Sequence, residues 1–301
     1  MAVENIVIVE VGARDGLQNE DVVVSTPDKI ELINKIAAAG AARIEVASFV
    51  HPQLVPQMAD AEAVVAALPD DGDCSYIGLV LNRRGLERAL ATRIDEINFV
   101  VGASEGFNQA NQKSSVAQTM SEIEAMLPEA AAAGMKTTVT ISVAFGCPFE
   151  GEVTPETVAE LAERCAAAGA GEVALGDTIG VATPHDVSER VGVVGGVIGA
   201  ASLRCHFHDT RNTGIANVVA AVAAGVTTID ASVGGTGGCP YAPNATGNVP
   251  TEDVLYTLHR MGFETHIDLE AIIATGHWLA EKLGKPLPSA LGRAGTWPPM
   301  P

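Results

Sequence analysis

Short runs rich in β-branched residues alternate with alanine-rich helical runs along the chain. The helical runs start at Pro or a small polar residue and end at Gly, which are the usual start and stop signals of helices. Eight such β-then-α units, spaced about 30 to 40 residues apart, predict right-handed crossovers that close into one parallel (βα)8 TIM barrel. The strand candidates are IVIVEV (6–11), ARIEVAS (42–48), CSYIGLVLN (74–82), EINFVVGAS (96–104), KTTVTISVA (136–144), GEVALGDT (171–178), SLRCHFHD (202–209) and TTIDASVGG (227–235).

The main alternative is an open, doubly wound α/β sheet, which usually carries a GxGxxG fingerprint after its first strand. The segment EVGARDGLQNE does not match that fingerprint, so the barrel is favoured. No linker divides the 301 residues, and we expect one barrel domain over 1–301. After the eighth strand we expect a glycine-rich loop and a helix from about Glu252. A C-terminal segment from about 265 should add a helix over 268–284 and an irregular tail over 292–301.

The chain is strongly acidic, with 37 Asp and Glu against 18 Lys and Arg and a net charge of −19. Such a surface repels nucleic acid and anionic membranes, so neither is an expected partner. No apolar run reaches the roughly 18 residues that span a bilayer, and the N-terminus lacks a basic secretory region. Five cysteines without a CxxC pair predict reduced thiols and a cytoplasmic location.

In a (βα)8 barrel the loops at the carboxyl ends of the strands converge on one mouth, where chemistry takes place. We therefore searched those strand ends for charged and coordinating side chains. The candidates are Arg14 and Asp15 after strand one, Glu45 in strand two, Asp177 at the end of strand six, His206 and His208 in strand seven, and Cys239 and Asn248 in the loop after strand eight.

His206 and His208 lie two residues apart on one strand, so both imidazoles leave the same face. With Asp15 they would form a mixed nitrogen and oxygen site for Mg²⁺, Mn²⁺, Co²⁺ or Zn²⁺, leaving positions for water and substrate. The alternative is that one histidine packs in the core and the other is solvated. The strand-end position and the converging carboxylates favour the metal site.

Arg14 and Asp15 place a cation beside an anion at a strand end. The planar guanidinium could hold a thioester or carboxylate oxygen on which negative charge develops. The alternative is a structural ion pair in the barrel wall, and the same alternative applies to Glu45 and Asp177.

The segment GGTGGCPYAPNATGN (234–248) predicts a lid that closes over a ligand by backbone motion, or else a flexible connection. Cys239 lies within it. A nearby metal would lower the pKa of this thiol or let it donate a proton to a carbanion, whereas the alternative is an inert, half-buried thiol.

These motifs, in this order, resemble those of the 3-hydroxy-3-methylglutaryl-CoA (HMG-CoA) lyases, a family of metal-dependent barrels related to the isopropylmalate synthases. The resemblance covers nearly the whole chain, from EVGARDGLQNE (10–20) through LGDTIGVATP (175–184) to GGCPYAPNATGNVPTEDVLY (237–256). It implies a divalent cation, Mg²⁺ or Mn²⁺ foremost, held by Asp15, His206, His208 and Asn248. It also implies catalytic roles for Arg14 and Cys239, with Glu45 and Asp177 as polar partners at the site.

The reaction implied by the resemblance is retro-Claisen cleavage of an acyl-CoA substrate, HMG-CoA or a close tertiary 3-hydroxyacyl-CoA, giving acetyl-CoA and acetoacetate or the matching keto acid. Asp15 or a metal-bound water would remove the hydroxyl proton, and Cys239 or His206 would protonate the carbanion. Two departures from the family pattern, Ala13 for proline and Arg211-Asn212 for Tyr-Gly, bear on the acyl group rather than on the reaction. A homodimer fits the family.

The CoA phosphates require cations, and the loop candidates are Lys113, Arg83, Arg84 and Arg211. Two other functions are considered. One is a Claisen-type condensing enzyme of the same barrel group, although such enzymes generally carry an added regulatory domain. The other is a non-catalytic barrel that binds only a metal or acyl-CoA, which the full set of candidate site residues disfavours.

Overall fold

The predicted barrel is confirmed by a computed structural model, which describes residues 5–70, 72–238 and 247–297. Eight parallel strands pair in sequence order, and β1 pairs with β8 from Val7 opposite Thr228 to Glu10 opposite Ala231, which closes the barrel. The strands are β1 (Val7–Glu10), β2 (Arg43–Ser48), β3 (Ser75–Val80), β4 (Glu96–Gly102), β5 (Lys136–Ser142), β6 (Glu172–Asp177), β7 (Leu203–Phe207) and β8 (Thr228–Ala231).

Each strand is followed by at least one helix; β4 is followed by two and β8 by three. The helices are α1 (Thr26–Ala38), α2 (Ala61–Ala67), α3 (Arg83–Leu90), α4 (Glu105–Gln112), α5 (Val116–Ala132), α6 (Pro155–Ala167), α7 (Pro184–Ile198), α8 (Gly214–Ala223), α9 (Thr251–Met261), α10 (Leu269–Leu283) and α11 (Ala290–Ala294). None of these helices, which cover only the described residues, is both long and apolar enough to cross a membrane.

The helix starts follow the signals in the sequence. Ser25, Thr154 and Thr183 each precede a helix with proline in its first turn, and each side-chain oxygen accepts a hydrogen bond from the backbone N–H three residues on. This bond satisfies one of the N–H groups that a helix start leaves without a partner. The caps therefore fix where α1, α6 and α7 begin and how long the preceding loops are.

Two local predictions need correction. Strand one was expected to continue to Val11, but β1 ends at Glu10 and a single π-helical turn, Gly12–Gly16, follows it. The C-terminal tail is not wholly irregular, because α11 covers its first residues. Asp253 accepts hydrogen bonds from the backbone N–H groups of Ala290 (2.9 Å) and Leu291 (2.8 Å), which holds the start of that helix against α9.

Candidate metal centre at the barrel mouth

Asp15, His206 and His208 meet at the mouth of the barrel. One ligand atom from each lies within 4.8 Å of the ligand atoms of the other two. The Nε2 atoms of His206 and His208 are 3.2 Å apart, and Nε2 of His206 lies 4.0 Å from Oδ2 of Asp15. Three donor atoms of these types at this spacing form a candidate site for a divalent cation.

Asn248 lies beside this cluster, although it is 233 residues from Asp15 in sequence. Its Nδ2 donates to Oδ2 of Asp15 (2.8 Å) and to the carbonyl of Thr236 (3.0 Å). Its Oδ1 is buried without a hydrogen-bond partner among the described residues. A buried carbonyl oxygen without a partner is costly unless something else binds it, so the residues present fit a cation at this position.

Asp230 on β8 contacts the His206 ring, and no pattern in the sequence singled it out. Nδ1 of His206 lies 3.0 Å from Oδ2 of Asp230, because the two residues are paired in the β7–β8 register. A carboxylate can only accept, so it favours the tautomer with the proton on Nδ1. The lone pair of Nε2 then faces Asp15 and His208.

The electrostatics of Asp15 and His208 suit a cation at neutral pH. Burial alone would raise the pKa of Asp15, but Arg14 and the two imidazoles lower it to about 2. Burial, followed by the neighbouring His206, lowers the pKa of His208 to about 4. Burial would also lower the pKa of His206, but Asp230 and Asp15 outweigh it and raise that pKa. Asp15 is therefore an anion and His208 a neutral ligand near pH 7.

Arg14 lies in the π-helical turn with its guanidinium between two carboxylates. Its Nη1 donates to Oδ1 of Asp15 (2.6 Å), and its Nε and Nη2 both donate to Oε2 of Glu45, the first at 2.7 Å. Glu45 is itself held by Asn98, whose Nδ2 donates to Oε1 (2.9 Å), and Thr140 donates to Asn98 Oδ1 (2.8 Å). Arg14 thus lines the mouth, and its contacts with Glu45 and Asp15 hold the guanidinium in one position.

Asp177 does not join the cluster. Its carboxylate accepts hydrogen bonds from the backbone N–H groups of Val181 (2.8 Å) and Ala182 (3.1 Å) in the loop before α7. Burial raises its pKa to about 6. The neighbouring residues Gly176 and Thr178 line the mouth cavity instead, so Asp177 holds the β6–α7 loop in place.

Two buried carboxylates hold the base of the glycine-rich loop, and neither was singled out from the sequence. Glu10 accepts from the N–H groups of Gly12 (2.8 Å) and Val233 (2.9 Å), which joins the π-helical turn to the end of β8. Glu252 accepts from the N–H of Gly234 at 2.9 and 3.0 Å. Burial raises the pKa of Glu10 to about 7 and that of Glu252 to about 8. Cys239 and Tyr241, farther along this loop, lie outside the described residues.

A cavity of about 730 Å³ opens at the mouth and contains the cluster. Arg14, Asn98 and Thr140 line it beside the cluster, and Leu54 and Lys113 also line it. This is the usual volume range for small-molecule sites.

The other three predicted phosphate contacts lie elsewhere. Arg83 and Arg84 line a second pocket of about 770 Å³. Arg83 forms an ion pair with Glu129. Arg211 donates to the carbonyls of Ile179 (2.9 Å) and Gly180 (2.8 Å) and so joins the loops after β6 and β7. Of the four cations proposed for CoA, only Lys113 lines the cavity that holds the cluster.

Comparison with known proteins gives matches over nearly the whole chain. The HMGL-like family model matches residues 5–278. The (R)-citramalyl-CoA lyase of Chloroflexus aurantiacus is 41% identical over 302 residues, covering 97% of this chain and 95% of that protein. Hydroxymethylglutaryl-CoA lyase YngG of Bacillus subtilis is 41% identical over 286 residues, covering 95% of this chain and 96% of the relative.

Solved structures of HMG-CoA lyases superimpose on this chain over nearly its whole length. The B. subtilis HMG-CoA lyase superimposes with a TM-score of 0.93 at 41% identity, covering 96% of this chain and 98% of that one. An HMG-CoA lyase from Acinetobacter baumannii in complex with coenzyme A and 3-methylmalate superimposes with a TM-score of 0.94 at 38% identity, covering 99% and 98%.

Proposed function

Because the chain belongs to the HMGL-like family and is a carbon–carbon lyase, we propose that it cleaves a tertiary 3-hydroxyacyl-CoA to acetyl-CoA and a keto acid. HMG-CoA, which would give acetoacetate, is the first candidate substrate. The observation that carries the proposal is the convergence of Asp15, His206 and His208 within 4.8 Å at the floor of the mouth cavity.

Asp15, His206, His208 and Asn248 would hold one divalent cation. Bound there, the cation supplies Lewis acidity that lowers the pKa of a coordinated hydroxyl group. Mg²⁺ and Mn²⁺ suit the two oxygen donors, and the two imidazoles also admit Co²⁺ or Zn²⁺.

Asp15 is our candidate for the base that removes the proton of the substrate's 3-hydroxyl. Because the pKa of Asp15 is held near 2, it accepts a proton only from a hydroxyl that has become unusually acidic. The O–H electrons then form the new C=O bond, and the C2–C3 bond breaks. Its electron pair leaves as the enolate of acetyl-CoA, and C2 afterwards takes up a proton.

We propose that Arg14 stabilises that enolate. It lines the cavity next to Asp15, and its contacts with Glu45 fix the guanidinium before substrate binds. Preorganised donors facing a developing oxyanion contribute about 3 to 4 kcal/mol in a water-poor site. We propose that Cys239 returns the proton to C2, since Gly238, the residue before it, lines the same cavity. His206 is the alternative donor.

A second substrate is favoured by one observation, the 41% identity to an (R)-citramalyl-CoA lyase. Citramalyl-CoA is also a tertiary 3-hydroxyacyl-CoA with a distal carboxylate, but it is shorter by one methylene and would give pyruvate. One methylene changes specificity by about 10- to 200-fold, so one of the two substrates should clearly be preferred.

The test is to incubate the protein with HMG-CoA or with (R)-citramalyl-CoA in the presence of Mg²⁺ or Mn²⁺. Acetyl-CoA, acetoacetate and pyruvate are measured separately. We expect cleavage of at least one substrate, and we expect EDTA to abolish it and added Mn²⁺ to restore it. Failure to cleave either thioester would contradict the proposed substrate class, and EDTA-resistant cleavage would contradict the proposed metal.

A further inference from the structure

A chain of ion pairs runs through the barrel interior from the residues at the starts of the strands to the metal cluster. Arg43 pairs with Glu96 (2.7 Å) and Glu172 (3.0 Å). Arg204 then pairs with Glu172 (3.5 Å) and with Asp230 (3.1 Å). We call this set the ionic column, and its members are Arg43, Glu96, Glu172, Arg204 and Asp230.

The column ends on a metal-site residue. Asp230 contacts Arg204 through one carboxylate oxygen and Nδ1 of His206 through the other, at 3.0 Å. Arg204 and His206 lie two apart on β7, so both side chains point to the barrel interior. Asp230 on β8 therefore meets both from the neighbouring strand.

Burying the charges of the ionic column in the barrel interior costs desolvation free energy. Arg204 is 1% exposed and Asp230 4% exposed, and replacing a buried ion pair by apolar side chains of similar volume is often neutral or stabilising. Barrel interiors are usually filled by branched apolar residues. Packing alone does not call for these charges, and their contact with His206 supplies a reason for them.

We propose that Asp230 is a positioning residue for the metal site and that Arg204 holds it in place. Asp230 keeps the proton of His206 on Nδ1, so that the Nε2 lone pair faces Asp15 and His208. A carboxylate behind a ligating histidine fixes the ring and raises its basicity, and its loss typically weakens metal binding by about 10- to 100-fold. This inference rests on the proposed metal site.

The first readout is metal affinity. The dissociation constant of Mn²⁺ is measured by titration of the metal-free full-length protein, for the wild type and for D230N, R204Q and R43Q. We expect about 10- to 100-fold weaker binding for D230N, a smaller loss for R204Q, and a change within about threefold for R43Q. The loss of Mn²⁺ affinity should thus become smaller as more contacts separate the replaced residue from His206.

The matched control is Arg190→Gln. Arg190 is also buried, but it lies on α7 and donates to the carbonyls of Ala144 (2.9 Å) and Val153 (2.6 Å), away from the column. Its replacement should lower the melting temperature and leave the Mn²⁺ affinity unchanged. Equal loss of affinity in R190Q and D230N would mean general destabilisation and would overturn the proposal.

The second readout does not involve metal. Nitrogen NMR of the imidazole rings, recorded on the metal-free protein at a pH above the pKa of His206, reports which ring nitrogen carries the single proton. We expect Nδ1–H in the wild type and a shift toward Nε2–H in D230N, because an amide can donate to Nδ1. An unchanged tautomer together with unchanged Mn²⁺ affinity in D230N would overturn the positioning role.

The two readouts separate this inference from the proposed function. If the wild type binds no Mn²⁺, the metal site itself is wrong and the affinity claim falls with it, while the tautomer result still decides whether Asp230 orients His206. If the wild type binds Mn²⁺ and D230N keeps both the same Mn²⁺ affinity and the same His206 tautomer, the metal site stands and the role of Asp230 is refuted.

Discussion

Arg14 shows, at the scale of a single residue, how its neighbours hold a candidate catalytic side chain in place. Its guanidinium has carboxylates on two sides, Glu45 and Asp15, and Glu45 is held in turn by Asn98. The planar fork of Arg14 suits this arrangement, because several N–H donors point in fixed directions from one group. An ammonium group in its place would keep the charge and lose the geometry.

We therefore expect Arg14→Lys to lower kcat by about 10²- to 10³-fold, the size typical of losing one preorganised oxyanion donor. Mn²⁺ affinity should stay within about threefold of the wild type, because lysine keeps a positive charge beside Asp15 and so keeps that carboxylate ionised. Cleavage rate and bound metal are measured on the same preparation. A kcat near that of the wild type, or loss of the metal, would contradict the assigned role.

Residues differ in how far sequence could predict them. The proximity of His206, His208 and Asp15 could be predicted. Residues two apart on a strand share a face, and parallel strand ends converge at the mouth of a barrel. Asp230 could not be predicted, since its importance depends on the register that places it opposite His206. Asp177 does lie at the end of β6, as predicted. Its side chain, however, accepts hydrogen bonds from backbone N–H groups of the following loop and lies outside the cluster.

At the scale of elements, alternation of apolar runs with capped helices predicted all eight strands within a few residues of their observed ends. The π-helical turn at Gly12–Gly16 was not predictable, because it depends on contacts with a distant part of the chain. A Cβ on Gly16 would lie 2.3 Å from Oγ1 of Thr236 and 2.9 Å from Oγ of Ser232. Gly16 thus allows the turn carrying Arg14 and Asp15 to pack against the loop after β8.

The base of that loop gives a prediction about pH and stability. Glu252 has a pKa of about 8 in the folded protein, raised by burial from 4.5. Between these pH values the folded protein keeps a proton that the unfolded chain has lost. The free energy of unfolding therefore falls as pH rises from about 4.5 to about 8, by up to a few kcal/mol from this group.

Glu252→Gln removes this titration and keeps an oxygen that can accept from Gly234. We expect the variant and the wild type to melt at similar temperatures at pH 5. Above pH 8 the variant should melt several degrees higher, because no charge is left buried. Thermal melting from pH 5 to pH 9 measures the difference, with Glu160→Gln on the exposed face of α6 as the control. A constant offset at all pH values would contradict the raised pKa.

At the scale of the whole molecule, closure of the barrel brings together residues that the sequence separates. Pairing of β1 with β8 sets Asp15 against Asn248 across 233 positions. Parallel pairing in sequence order and closure follow from the βα repeat, which is why the fold could be predicted. The position of the ionic column could not, because it depends on which side chains face inward on five separate strands.

The protein and the CoA thioester proposed as its substrate both carry negative charge. The net charge is −19. Among the described residues that line the mouth cavity, Asp15, Glu20, Asp21 and Asp230 outnumber the permanent cations Arg14 and Lys113. Long-range repulsion between the acidic protein and an anionic CoA thioester should therefore lower the association rate constant.

Salt should relieve that repulsion, because the screening length falls from about 30 Å at 0.01 M to about 8 Å at 0.15 M ionic strength. We expect kcat/KM to rise several-fold over this range at saturating Mg²⁺, while kcat stays constant because the enclosed site is screened much less. Steady-state assays with NaCl and with KCl separate screening from specific ion effects. If kcat/KM falls with salt instead, a local positive field at the mouth outweighs the net charge. Lys113→Gln should then abolish the salt dependence, since Lys113 is the lysine that lines the described part of the cavity.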